Sequence, residues 1–239
     1  MADFNEGGNG IVFKKNSSVL FVTDSYELKF FEVDARGDVI KSGLLDSDTQ
    51  TIECIAKNGN DTFILTSVIV DSHSIPTVYK LSQSSSIVSK KSFPQLKSFF
   101  AEKALIYNAK IIVVGAKYFS DGQSSNPRDY IVQLSENNEI ITEKNILPLG
   151  QFKNSECIDL ILLDSRIFAL VKSEHDLYLV CMDPDSLQLI WSEFLYKTNG
   201  VNKLLVGRNG NLVIYGSKLI PATKNTKWTY YPYVIEIKV

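Results

Sequence analysis

Two histidines, His73 and His175, are the first residues to weigh for chemistry, because imidazole serves both as a metal ligand and as a base near neutral pH. A metal site would draw on Asp71, Glu174 and Asp176 beside them, and none stands at a metal-ligand spacing. Asp34 to Asp38 reads DARGD, oxygen-rich like a calcium loop but without the later bidentate Glu. GGNG from Gly7 neither follows a strand nor opens a helix, so it makes no phosphate cradle. No nucleophile-elbow or Ser-His-Asp pattern is present. Asp159 and Asp164 are strand-end carboxylates of the kind a glycosidase pairs as acid and base. Cys54, Cys157 and Cys181 each sit in an apolar run without CxxC spacing, which predicts buried thiols rather than a redox or zinc site. The expectation is no catalytic residue, no metal and no cofactor. Binding is favoured over catalysis.

The elements that would position such groups are short strands. The chain has 239 residues, 44% of them hydrophobic and 11% aromatic, which suits a folded core. A formal net charge of -2 lacks the basic footprint of a nucleic-acid-binding domain. No stretch approaches the roughly 20 apolar residues that span a bilayer. The polar, glycine-rich start, Met1 to Gly10, is not a secretory signal. With unpaired cysteines, this predicts a cytoplasmic protein; a secreted one requires a leader removed upstream. The sequons at Asn16 and Asn60 matter only in that second case. The lysine pairs Lys14–Lys15 and Lys90–Lys91 read as solvated strand edges.

The strands repeat. VLFVTD, TFILTS, IIVVGA, IFALVK and LVIYGS place Leu20, Phe63, Ile112, Phe168 and Val213 at intervals of 43, 49, 56 and 45. A second strand follows each: FFEVD, VYKLS, IVQLS, LVCMD and VIEIK. A short polar turn after the first four (ARGD, QSSS and ENNE among them) leads to a third, opened by the apolar pairs at Val39, Ile87, Ile140 and Leu189. TIECIAK, KALIYNA, CIDLILL and VNKLLVG supply one more strand ahead of the later copies. Each unit is thus an antiparallel meander of strands a, b, c and d. The step from the first segment to the end of the second varies as 14, 19, 23, 15 and 25, so length variation gathers in the b–c connection. A four-stranded sheet cannot bury both its faces alone, and units of about 48 residues set radially solve this. The prediction is an all-β, five-bladed β-propeller in one domain, 1–239, with units near 10–48, 49–96, 97–150, 151–199 and 200–239.

NLVIYGSK with YVIEIK, and DYIVQLSENNEIITE, resemble blades of quinoprotein-like and WD40-type propellers. YLVCMDPDSLQLIWSEF is similar to their outer hairpin, which carries Asp, a turn and then Trp. The resemblance covers the whole chain as a pattern of strands and turns, and implies fold rather than function. Tryptophan occupies the outer-strand position once, as Trp191, and WD dipeptides are absent. The tryptophan docking of quinone-cofactor enzymes is missing, so no cofactor is implied. The fifth unit ends after its c strand. Its d strand is expected from the N-terminal segment, Ala2 to Glu6, or else the last blade is incomplete.

In such a fold the b–c connections share one face. They bring Asp71 and His73, Tyr118, Phe119, Asp121 and Arg128, His175, and Lys224, Lys227, Trp228, Tyr230 and Tyr231 to it. Aromatics with Arg mark both interface hot spots and sugar-stacking platforms. The leading expectation is a protein-interaction module binding a protein or peptide through this face. A lectin-like propeller is the alternative, although its sites would repeat from unit to unit and these loops differ. A hydrolase using channel carboxylates comes third. No nucleic-acid partner is expected.

Overall fold

The computed structural model describes residues 11–13, 19–25, 27–47, 51–120, 125–147, 154–198, 202–220 and 229–238. Nineteen strands and one 3-10 turn, Pro94–Leu96, make up the regular structure of these residues. They form five antiparallel sheets in chain order. The first holds β1 (Ile11–Phe13), β2 (Val19–Ser25), β3 (Glu27–Val33) and β4 (Val39–Asp46). The second holds β5 (Thr51–Asn58), β6 (Asp61–Val70), β7 (His73–Leu81) and β8 (Ile87–Ser92). The third holds β9 (Phe99–Tyr107), β10 (Lys110–Ser120), β11 (Ser125–Leu134) and β12 (Ile140–Asn145). In the fourth are β13 (Ser155–Leu163), β14 (Arg166–Ser173), β15 (Asp176–Met182) and β16 (Leu189–Lys197). The fifth has three strands, β17 (Asn202–Val206), β18 (Leu212–Ile220) and β19 (Thr229–Ile237). The N-terminal segment expected to complete it, Ala2 to Glu6, lies outside the described residues.

Turn chemistry sets the meander. After β3, β7 and β11 the same five-residue turn recurs. Asp34, Ser82 and Ser135 open it, each donating its amide to the carbonyl four residues on, at 3.0, 2.9 and 2.8 Å. Their side-chain oxygens accept the amides of Asp38, Ser86 and Glu139, which is why Asp and Ser recur there. The position that needs positive φ is Gly37 in the first and Ser85 and Asn138 in the next two. Asp183 begins a turn one residue longer, with Leu187 at positive φ. Asp71–Ser72, Asn108–Ala109 and Asp164–Ser165 are two-residue turns with both φ positive, the form that matches strand twist in a hairpin.

The chain divides into two compact units, Met1–Val113 with Val132–Glu143 and Val114–Ile131 with Lys144–Val239. In the first unit Leu28, Phe30 and Leu45 of the first sheet pack on Ile52, Ile55, Ile64, Tyr79 and Leu81 of the second. The Tyr79 hydroxyl donates to Asp46, and Lys90 pairs with the same carboxylate. Lys90 is therefore an anchored residue rather than a free edge lysine. In the second unit Phe168, Leu170, Leu177, Leu179 and Cys181 pack with Leu204, Leu212 and Ile214 of the fifth sheet. The b strands β6 and β14 are buried along nearly continuous runs because both of their faces are covered. The three cysteines are buried and form no disulfide with one another. Burial raises the thiols of Cys54 and Cys181 above their ordinary value, leaving them as unreactive core groups.

Leu179 lies between two sheets and is 1% exposed. Leu179→Ala should cost about 3 kcal/mol in urea unfolding, with Leu212→Ala on the facing sheet comparable. A loss below about 1 kcal/mol would mean that these sheets are not packed face to face.

Candidate functional site

The b–c connections differ from the long loops expected of them. In the second sheet the extra length is strand: β6 and β7 stay paired out to Val70 opposite His73, and only Asp71 and Ser72 turn. In the fourth, Ser173 pairs with Asp176 around a two-residue turn of Glu174 and His175. In the fifth, pairing runs from Leu212 opposite Ile237 to Ile220 opposite Thr229. These are projecting hairpins, because each paired residue keeps its backbone hydrogen bonds satisfied away from the core.

The second-sheet and fourth-sheet hairpins are held close to their turns. His73 is half-buried with Nδ1 3.0 Å from the Ser98 hydroxyl, while the Ser98 amide donates to the Ser74 carbonyl at 2.7 Å and the Phe93 amide to Pro76 at 2.9 Å. The segment around the 3-10 turn thus holds the hairpin in place. In the third sheet the Lys117 ammonium lies 4.5 Å from the Tyr130 ring centroid, and Tyr118 beside it is exposed. Arg128 is half-buried and precedes the fully buried Asp129. In the fourth, the His175 carbonyl accepts the Thr198 amide at 2.6 Å, and Asp176 lies 3.9 Å from Lys197.

The structure brings Asp71 and His73 to one tip, with exposed Ile69 and Val70 beside them. Tyr118 and Arg128 belong to the third-sheet hairpin, His175 to the fourth, and exposed Tyr231 to the fifth. Phe119 and Tyr230 lie on β10 and β19. Asp121, Lys224, Lys227 and Trp228 fall outside the described residues. Sequence reasoning took Asp71 and His73 from this b–c connection and passed over Ile69 and Val70. Their place at the end of a long apolar strand was the available signal. Among the described residues no group of three or more His, Cys, Asp or Glu could hold a metal ion.

Buried carboxylates tie sheets together. Asp159 is 1% exposed and accepts the Leu160 amide at 2.9 Å and, from the fifth sheet, the Leu204 amide at 2.7 Å. Asp164 sits in an exposed two-residue turn. Asp159 is thus taken up by two backbone amides, whereas Asp164 is exposed at a turn. Asp129 accepts the Leu147 amide at 2.6 Å and the Ser155 hydroxyl. Burial raises its carboxyl, against those hydrogen bonds. Glu53 stands at the bulge in β5 and accepts the Ala101 amide of the third sheet. Burial is the main cause that pushes it up to about 7, opposed by the Ala101 amide and the Ser67 hydroxyl.

No protein-family model and no curated protein sequence matches the chain. Solved structures do. The Dos1 propeller matches with a TM-score of 0.57 and 10% identity, over 87% of this chain and 52% of that one. A chain of the mitotic checkpoint complex matches with a TM-score of 0.56 and 5% identity, over 96% of this chain and 64% of that one. A Synechocystis apocarotenoid oxygenase mutant matches with a TM-score of 0.52 and 11% identity, over 84% of this chain and 52% of that one. The chain thus spans about half the length of the first and third, and at these identities the likeness concerns fold alone. The repeated antiparallel sheets and this likeness define a β-propeller fold. No helix among the described residues is long and apolar enough to cross a membrane.

The Glu53 carboxyl ordinarily titrates near 4.5 and does so near 7 in the fold. Between those values the folded chain keeps a proton that the unfolded chain has released, so stability falls as pH rises and the loss is complete above about 7. The expected loss is roughly 3 kcal/mol. Glu53→Gln, which keeps an acceptor for the Ala101 amide, should flatten this part of the pH–stability curve measured by chemical denaturation. Parallel curves for wild type and variant would refute it.

Proposed function

We propose that the chain is a non-catalytic binding module that docks a protein or peptide through the tips of its b–c hairpins. The observation that carries the reading is the exposure of Ile69, Val70, Tyr118 and Tyr231 on hairpins that project as paired strands. Apolar and aromatic side chains held rigidly in water pay little ordering entropy on binding and desolvate favourably, as interface anchors do. Arg128 and Asp71 supply charged neighbours for specificity. The likeness to a chain whose structure is that of the mitotic checkpoint complex fits a scaffold role. A lectin-like reading fits less well, since tips such as Asp71–Ser72 and Glu174–His175 present different groups and would not repeat one sugar site. Three buried thiols that form no disulfide with one another fit a reducing, cytoplasmic setting.

Affinity capture with quantitative mass spectrometry should compare wild type with Tyr118→Ala, Tyr231→Ala and Ile69→Ser. Partners held through the tips should fall by about tenfold or more per hot-spot residue, while unfolding free energies shift by no more than about 0.5 kcal/mol. An unchanged partner set across all three variants would place binding on another surface.

A further inference from the structure

The turn between β17 and β18 sets an asparagine directly before a glycine, at Asn209–Gly210. Such a pair can react with itself. The glycine nitrogen is a latent nucleophile, and its attack on the asparagine carboxamide carbon closes a five-membered ring. The local structure suits this attack. The Gly207 amide donates to the Asn211 carbonyl at 2.8 Å and the Gly210 amide to the Gly207 carbonyl at 3.0 Å, which closes a tight turn. Gly210 has φ +81, the left-handed conformation that glycine adopts freely, and a Cβ there would meet nothing within 4 Å. No side chain crowds the approach to its nitrogen.

The Asn209 carboxamide is held in place. Its Oδ1 accepts the Asn211 amide at 3.3 Å, which folds the side chain back along the Gly210 peptide. That amide also stands where charge develops on Oδ1 once the carboxamide carbon is attacked. Its Nδ2 donates to Glu236 on β19, and Asn211 Nδ2 donates to the same oxygen at 2.7 Å. These two donors hold the Glu236 carboxyl below its ordinary value, so it stands ionised against the carboxamides. Asn58–Gly59, the other such pair among the described residues, has a different backbone. Asn58 ends β5 and pairs with Asp61, so ring closure there must pull the main chain out of the extended ladder.

We propose that Asn209 is a site of spontaneous deamidation, with water as its co-reactant, and that the product frees the turn from β19. Hydroxide takes the Gly210 amide proton, and the nitrogen bonds to the Asn209 Cγ. The Cγ–Nδ2 bond breaks, and Nδ2 leaves as ammonia after taking one proton from solvent. Water then opens the cyclic imide. Addition at Cγ gives aspartate, and addition at the main-chain carbonyl carbon gives isoaspartate; nothing is oxidised or reduced. Either product sets a carboxylate against Glu236 where a donor stood before, and like charges in contact repel. Isoaspartate also adds a carbon to the main chain inside the turn. The site lies at the end of β18 away from the tip beyond Ile220 and Thr229, so it holds or fails independently of the docking reading.

Peptide mapping by mass spectrometry tests it, on the full chain aged in mildly alkaline buffer made with heavy-oxygen water. Asn209 should lose its amide and take up heavy oxygen ahead of Asn58, yielding separable aspartate and isoaspartate peptides at a rate that rises with hydroxide. Asn209→Gln, whose ring would be six-membered, should stay unlabelled at this position. Amide hydrogen exchange over residues 206–212 should quicken about threefold in the aged chain and in Asn209→Asp. Glu236→Gln should return Asn209→Asp to the wild-type rate by removing the second charge. An Asn209 that keeps its amide while Asn58 converts would overturn the proposal. Exchange in Asn209→Asp that matches wild type, or that Glu236→Gln leaves raised, would overturn it as well, because the paired carboxylates would then not govern the turn.

Discussion

A sheet that is apolar on both faces is insoluble until both are covered, and this constraint organises the whole molecule. The central strands β6 and β14 show it most directly: Phe63 to Leu65 and Ile167 to Val171 are buried without interruption. Burying such side chains contributes about 25 cal/mol per Å² of apolar area, but only if a neighbouring sheet brings a complementary face. In each unit it does, with Tyr79 and Leu81 against Phe30, and Leu212 and Ile214 against Leu170 and Leu179. Repetition follows from this need. In these two pairs the later sheet is the cover of the one before it.

Close face-to-face packing creates a second problem, since the edge strands β9 and β17 leave backbone amides between sheets with no strand partner. Bulges occur in β5 around Glu53 and in β13 between Cys157 and Asp159. At each, a carboxylate reaches the neighbouring sheet, Glu53 to the Ala101 amide and Asp159 to the Leu204 amide. A buried acceptor that satisfies an otherwise orphaned donor offsets part of its own desolvation. The offset is incomplete at Glu53, where burial outweighs the two hydrogen bonds and holds the carboxyl near neutrality. Glu53, Asp129 and Asp159 each commit an oxygen to a backbone amide.

Much of this was legible in the chain. Asp34, Ser82, Ser135 and Asp183 stand at turn starts because their side chains close the turn, and local chemistry of that kind survives in sequence. The strand quartets and their pitch were legible for the same reason. The hairpin tips were misread as loops, since Ser, Asp and Pro in VIVDSHSIP mask strands that run to Val70 and from His73. The staples were not legible at all: nothing near Glu53 or Asp159 announces a partner 48 or 45 residues away. Nor does the fifth sheet differ in residue type from the others, so only coordinates distinguish an exposed Val234 from a buried Val78.

What remains exposed therefore carries the functional argument. Interior apolar groups answer to packing, and the interior carboxylates answer to the backbone. The surface differs in kind. Ile69, Val70 and Tyr118 are exposed on hairpins that could have ended one or two residue pairs earlier at no cost to the core. Exposed apolar side chains also line the outer strands, Val39, Ile40, Ile87, Val88 and Ile190 among them, so what distinguishes Ile69 and Val70 is their place on paired strands beside a tight turn. Such extension makes physical sense when another macromolecule completes the burial, with the rigid hairpin base limiting the entropy lost on contact.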